Sequence, residues 1–77
     1  MPTVLRLDGF EFYFYSEEGN EPPHIHVDKG GGTAKFWLSP LALDYADGMK
    51  SAEVKKALRL VEENQTLLVE KWHEHFA

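Results

Sequence analysis

A chain of 77 residues fits one domain, which buries only ~60–65% of the surface it would expose unfolded, so modest stability is expected. A composition of 43% hydrophobic, 13% aromatic and 27% charged residues excludes a disordered chain, and no apolar run approaches the ~20 residues of a bilayer span. With no cysteine there is no disulfide framework, thiolate nucleophile or Cys-based zinc site, and a net charge of -5 runs against the basic stripe of a nucleic-acid binder.

The start of the chain, Met1-Pro2-Thr3, lacks the basic-then-apolar pattern of a signal peptide, so a cytoplasmic home is the expectation. Two β-favouring runs, Thr3 to Leu7 and Phe10 to Tyr15, flank Asp8-Gly9, a two-residue hairpin signal because both positions tolerate positive φ. That turn predicts Leu7 opposite Phe10, Arg6 opposite Glu11, Leu5 opposite Phe12 and Val4 opposite Tyr13. Ser16 to Glu21 reads as a loop, with Pro22-Pro23 stiffening entry into a third strand, Pro23 to Asp28. After Lys29 and three glycines, Thr33 to Ser39 is the fourth strand. The expected pairs are Asp28 with Thr33, Val27 with Ala34, His26 with Lys35, Ile25 with Phe36 and His24 with Trp37. The glycine run is a hairpin tip rather than a phosphate cradle, because no Walker Lys-Ser/Thr, G-x-G-x-x-G or following helix accompanies it.

Sorting strand residues by parity gives two unlike faces. Leu5, Leu7, Phe10, Phe12, Phe14, Ile25, Val27, Ala34, Phe36 and Leu38 form an apolar face that must be covered. The opposite face carries Arg6, Glu11, Tyr13, Tyr15, His24, His26, Asp28, Lys35 and Trp37. Its Tyr, Trp and cationic content resembles an interface hot spot, which makes Tyr13, Tyr15, His24, His26, Lys35 and Trp37 the candidate binding residues.

Leu41 to Tyr45 reads equally as a short fifth strand or as loop. Ser51 is a plausible N-cap. From it to Phe76 an apolar stripe at Val54, Leu58, Val61, Leu68, Val69, Trp72 and Phe76, with Gln65 in line, predicts one helix lying on the apolar face. Leu60 and Leu67 fall off that stripe and are expected to be exposed. The architecture is therefore α+β: a single domain with a four-stranded, or possible five-stranded, antiparallel β-meander and one C-terminal helix packed on one face.

Pro22-Pro23-His24-Ile25-His26-Val27 is the most distinctive motif. Two histidines at i and i+2 of a strand share a face and can converge on one ion, but a site needs a third ligand. Asp28 is the only carboxylate next along that face, His73, His75, Glu70 and Glu74 belong to a helix on the other side, and Lys35 beside His26 would repel a cation. No resident metal and no cofactor are expected on this reading. His73-Glu74-His75 is not a zincin helix, since residues two apart on a helix point about 200° apart. A protonated His75 instead complements the helix C-terminus. No serine has an evident base, so a nucleophilic hydrolase has no support.

Phe12-Tyr13-Phe14-Tyr15-Ser16, Glu18-Gly19, Glu21-Pro22-Pro23-His24-Ile25-His26-Val27, Ala34-Lys35-Phe36-Trp37-Leu38 with Pro40, and Trp72-His73-Glu74-His75-Phe76 together resemble the short bacterial proteins of the domain-of-unknown-function 4160 family. The resemblance implies no activity and no catalytic residues. It implies membership of two-gene bacterial modules of the kind proposed to be toxin-antitoxin pairs. The expected function is thus an interaction component that binds a small protein encoded by a neighbouring gene, with no membrane role. The alternative is a hydrolase or nuclease using His24 and His26 as acid and base or as metal ligands. A third reading, stacking of single-stranded bases on the aromatic face, is weakened by the acidic balance.

Overall fold

In the computed structural model, which describes residues 3–76, Asp8 and Gly9 both take positive φ, 51° and 82°. This is the conformation in which a two-residue loop matches the twist of its flanking strands. The turn joins β1 (Thr3–Leu7) to β2 (Phe10–Tyr13); β3 (His24–Lys29), β4 (Gly32–Leu38) and β5 (Leu41–Asp47) follow, each pairing antiparallel with its predecessor in one open meander. The Leu41 to Tyr45 run is therefore a strand, extended to Asp47.

The expected register holds in β1–β2 from Leu7↔Phe10 to Leu5↔Phe12. Beyond that an irregularity intervenes, so that Thr3 rather than Val4 stands opposite Tyr13. Every pair expected between β3 and β4 is present, and one more, Lys29↔Gly32, narrows the tip to Gly30-Gly31. Gly32 has a packing reason to lack a side chain: a Cβ there would lie 2.6 Å from the Gly48 carbonyl oxygen, where the chain leaving β5 crosses.

The helical segment differs from one uninterrupted helix. It forms α1 (Ser51–Glu63) and α2 (Gln65–Phe76), divided at Asn64, whose φ of -116° and ψ of 17° leave the helical region. Asn64 donates its side-chain amide to the Leu60 carbonyl at 2.8 Å, the local competition with backbone bonding that makes asparagine a weak helix-interior residue. Lys50, not Ser51, is the N-cap, and its backbone N–H donates to the Glu53 carboxylate at 3.1 Å.

The apolar face of the sheet is covered as its composition demands. Phe10, Phe12, Phe14, Ile25, Val27, Ala34, Phe36 and Leu38 form one cluster with Ala57, Leu60, Val61, Leu68 and Trp72 of the helices. The phase of α1 corrects the sequence reading, since Leu60 is buried at 5% exposure and Leu58 lies outside at 40%. Ala57, Leu60 and Val61 sit at i, i+3 and i+4, the spacing of a helical face. The stripe read through Val54 and Leu58 treated both helices as one and missed it. Leu67 is exposed as expected.

This phase is testable. Leu60→Ala should cost about 2–4 kcal/mol and Leu58→Ala about 1 kcal/mol or less, because only the first empties a packed site. Chemical denaturation of both variants checks it, and a larger loss for Leu58→Ala would place the wrong face against the sheet.

Candidate functional site

Alternation along β3 puts Ile25 and Val27 into the core and turns His24 and His26 to the other face of the sheet. That face is roofed. The loop after β2 folds back over it through Glu18 N–H to Tyr15 O at 3.3 Å and Glu21 N–H to Glu18 O at 3.0 Å, and Tyr15 N–H donates to the Glu18 carboxylate at 3.1 Å. From the other side, Phe76 of α2 lies against Gly19, where an added Cβ would come 2.6 Å from the ring. Short turns and this close contact together aim the Glu18 carboxylate at the two imidazoles.

His24 is 0% exposed and His26 3%. Nε2 of His26 lies 3.0 Å from both carboxylate oxygens of Glu18, and Nε2 of His24 lies 2.8 Å from Glu18 Oε1. The second approach is close but off the line of a hydrogen bond, and His24 Nε2 is a buried nitrogen without a hydrogen-bond partner. On its other side, Nδ1 of His24 is 3.0 Å from the Pro22 carbonyl; a carbonyl only accepts, so Nδ1 carries the proton. One ligand atom from each of Glu18, His24 and His26 falls within 4.8 Å of the others.

Aromatic rings wall the cluster. Tyr13 stacks on His26 at 5.4 Å and 20°, and Tyr15 meets it edge-on at 4.7 Å. Trp37 and Trp72 flank His24 at 5.4 and 4.7 Å. Trp72 reaches His24 because the last β2 pair is Tyr13 with His26, so beyond it β3 has no β2 neighbour. The helices thus touch one of the two histidines, which a placement strictly on the opposite face did not foresee.

Of the six candidate binding residues, Tyr13, His24, His26 and Lys35 are buried, Trp37 is half-buried, and Tyr15 is exposed at 42%. The face expected to be open is therefore closed over its centre and open at its margins. Lys35 is paired with Glu21 at 3.1 Å and Asp44 at 3.6 Å, and its Nζ lies 4.4 Å above the Trp37 ring. Burial pushes its pKa down, but these carboxylates outweigh burial and leave it raised. Asp28, the only carboxylate the sequence placed next along that face, accepts a hydrogen bond from the Tyr13 hydroxyl at 2.9 Å, and burial first of all pushes that phenol up. The member of this cluster that the sequence reading did not place there is Glu18. It is neither on a strand nor adjacent to the histidines, and its signals were its place in a short loop leading into His24 and in the Glu18-Gly19 segment of the family resemblance.

The arrangement can do two things chemically. It can hold a proton between a carboxylate and two imidazoles, or it can hold a divalent cation with two nitrogen ligands and one oxygen ligand. Glu18 stands where a third ligand would be needed, and the positive charge of Lys35 is offset by its two carboxylates.

A family model described as a domain of unknown function, DUF4160, matches residues 9–73. No curated protein and no solved structure matches the chain.

Partial burial pushes the Glu18 carboxyl up, while Nε2 of His24 and Nε2 of His26, when they carry a proton toward it, outweigh burial and hold the group below the ordinary glutamate range. A carboxyl whose folded-state pKa is depressed adds stability above its unfolded value and loses it as pH falls through the folded one. The metal-free protein should therefore lose stability as pH drops below roughly 4.3, and Glu18→Gln should flatten that part of the profile. Denaturation midpoints of both proteins across the acid range check this; identical slopes would contradict it.

Proposed function

The chain belongs to the DUF4160 family, and we propose that it is a small cytoplasmic protein-interaction component of a bacterial two-gene, toxin-antitoxin-like module. The gene-pair part of this reading rests on the family resemblance. Its surface rests on β5. That strand is one of the two edges of the sheet, it is exposed from Ala42 to Asp47, and it carries Leu43 and Tyr45 at 45% exposure each. An edge strand with unpaired backbone groups and large apolar side chains is a template for an added strand.

Beside this edge, Pro22, Trp37, Ser39, Pro40 and Ala42 line an open groove of about 230 Å³. That is smaller than the ~300–1,000 Å³ of small-molecule pockets and suits one apolar side chain of a partner. Asp44 and Asp47 stand exposed along the edge, and the whole chain is acidic at -5, so a basic extended segment complements it. Edge-to-edge pairing of two copies would bring these carboxylates together, which disfavours self-association.

The hydrolase or nuclease reading gains Glu18 as a third group beside His24 and His26. It is the weaker reading because both imidazoles are buried, whereas a general acid or base must come within hydrogen-bond reach of its substrate.

Calorimetric titration against the product of the neighbouring gene tests the interaction. Trp37→Ala should weaken binding by ~2 kcal/mol or more, the scale of an aromatic anchor. Leu43→Lys should also weaken it, by placing a cation on an edge that is to receive a basic segment. Unchanged affinity in both variants would rule out this surface.

A further inference from the structure

The positions of Glu18, His24 and His26 raise a question of charge that their hydrogen bonds do not answer. With its proton on Nδ1, held by the Pro22 carbonyl, a neutral His24 presents the lone pair of Nε2 to a carboxylate oxygen 2.8 Å away. Two electron-rich atoms at that distance repel each other, and the ring is 0% exposed, so solvent does not screen them. A proton on Nε2 would change the sign, but a hydrogen bond is directional and this nitrogen is out of line with its neighbour. A metal ion is less demanding, because it needs the donors to converge on a point rather than on each other.

We propose that Glu18, His24 and His26 form a zinc site that clamps the Ser16–Glu21 loop onto the sheet, with water as the fourth ligand. This goes beyond the partner-binding reading and does not depend on it.

The donor set is two imidazoles and one carboxylate, which suits a borderline ion such as zinc and not the all-oxygen preference of calcium or magnesium. Metal–ligand bonds of about 2.0–2.1 Å place the donors of a tetrahedral site about 3.3 Å apart. Separations of 2.8 and 3.0 Å from Glu18 to the two Nε2 atoms need only a slight opening to reach that spacing. The Nδ1–H to Pro22 carbonyl bond is the outer contact that fixes the tautomer of a metal-binding histidine. Tyr13, Tyr15, Trp37 and Trp72 form an aromatic wall that keeps the donors oriented. The neighbouring cation, Lys35, is tied to Glu21 and Asp44. Nδ1 of His26 is buried without a partner whether Nε2 holds metal or proton, so it favours neither.

The test uses untagged, chelator-stripped protein titrated with zinc chloride in a calorimeter, with melting temperature followed in parallel. One equivalent of zinc should bind, and at a hundredfold excess over Kd the melting temperature should rise by about 11–22 °C. Glu18→Gln, on a loop and partly exposed, should fold and bind at least about tenfold more weakly. A His73→Ala, His75→Ala double variant should bind as the parent does, since these two lie exposed on the last turn of α2. No saturable binding, binding of magnesium or calcium as tight as that of zinc, or zinc binding insensitive to Glu18→Gln would each overturn the proposal.

Discussion

β3 is buried on both sides, and the rest of the molecule is arranged around the need to cover it. His24, Ile25, His26 and Val27 are all removed from solvent, although alternation sends two of them to each face. For Ile25 and Val27 cover means apolar contact, which the helices supply through Leu60, Val61, Leu68 and Trp72. For the histidines cover must also satisfy polar nitrogens, since burying them unpaired costs about 1–3 kcal/mol each. The loop before β3 meets half of that need, with a carbonyl at Nδ1 of His24 and a carboxylate at Nε2 of His26, and leaves Nε2 of His24 and Nδ1 of His26 without a hydrogen-bond partner.

The two faces therefore use unlike physics. Under the helices the contacts are nondirectional and tolerate rearrangement, as the break at Asn64 shows: the stripe changes phase and the core remains closed. Beneath the loop the contacts are few and directional. Glu18 touches both imidazoles, Glu21 reaches Lys35, and a displacement of the loop would disturb all of these at once. Removing the Glu18 charge leaves two buried histidines facing a neutral amide, whereas replacing an aliphatic core residue leaves a void its neighbours partly fill.

What was legible in the sequence follows the same division. The sheet could be read closely because Asp8-Gly9 and the glycine tip set pairing by local rules, and a slip of one residue would have turned Phe12 or Phe36 to the wrong side. Val4 escaped because an irregularity in an edge strand has no signature in side-chain type. Leu60 was misplaced because an unbroken helix was assumed through Asn64, and a change of phase at one residue alters which leucines point inward. Tyr13, His24, His26 and Lys35 were rightly grouped on one face but taken as open, because parity gives direction and says nothing about what folds over it. Glu18 lay beyond sequence reasoning for a similar reason: a flexible-looking loop gives no hint of which carboxylate will turn inward.

The contacts of α2 with the loop and with His24 bear on the order in which the chain can complete itself during synthesis. Each hairpin of the meander joins strands adjacent in sequence, so the sheet can assemble from its N-terminal end as the chain leaves the ribosome. The histidine cluster cannot close on that schedule. Trp72 packs on His24 and Phe76 packs on Gly19, and both belong to α2, which emerges after the whole sheet. Until it does, His24 lacks the Trp72 ring and the loop lacks the backing of Phe76, so the turns that shut the cluster come after every strand that carries it.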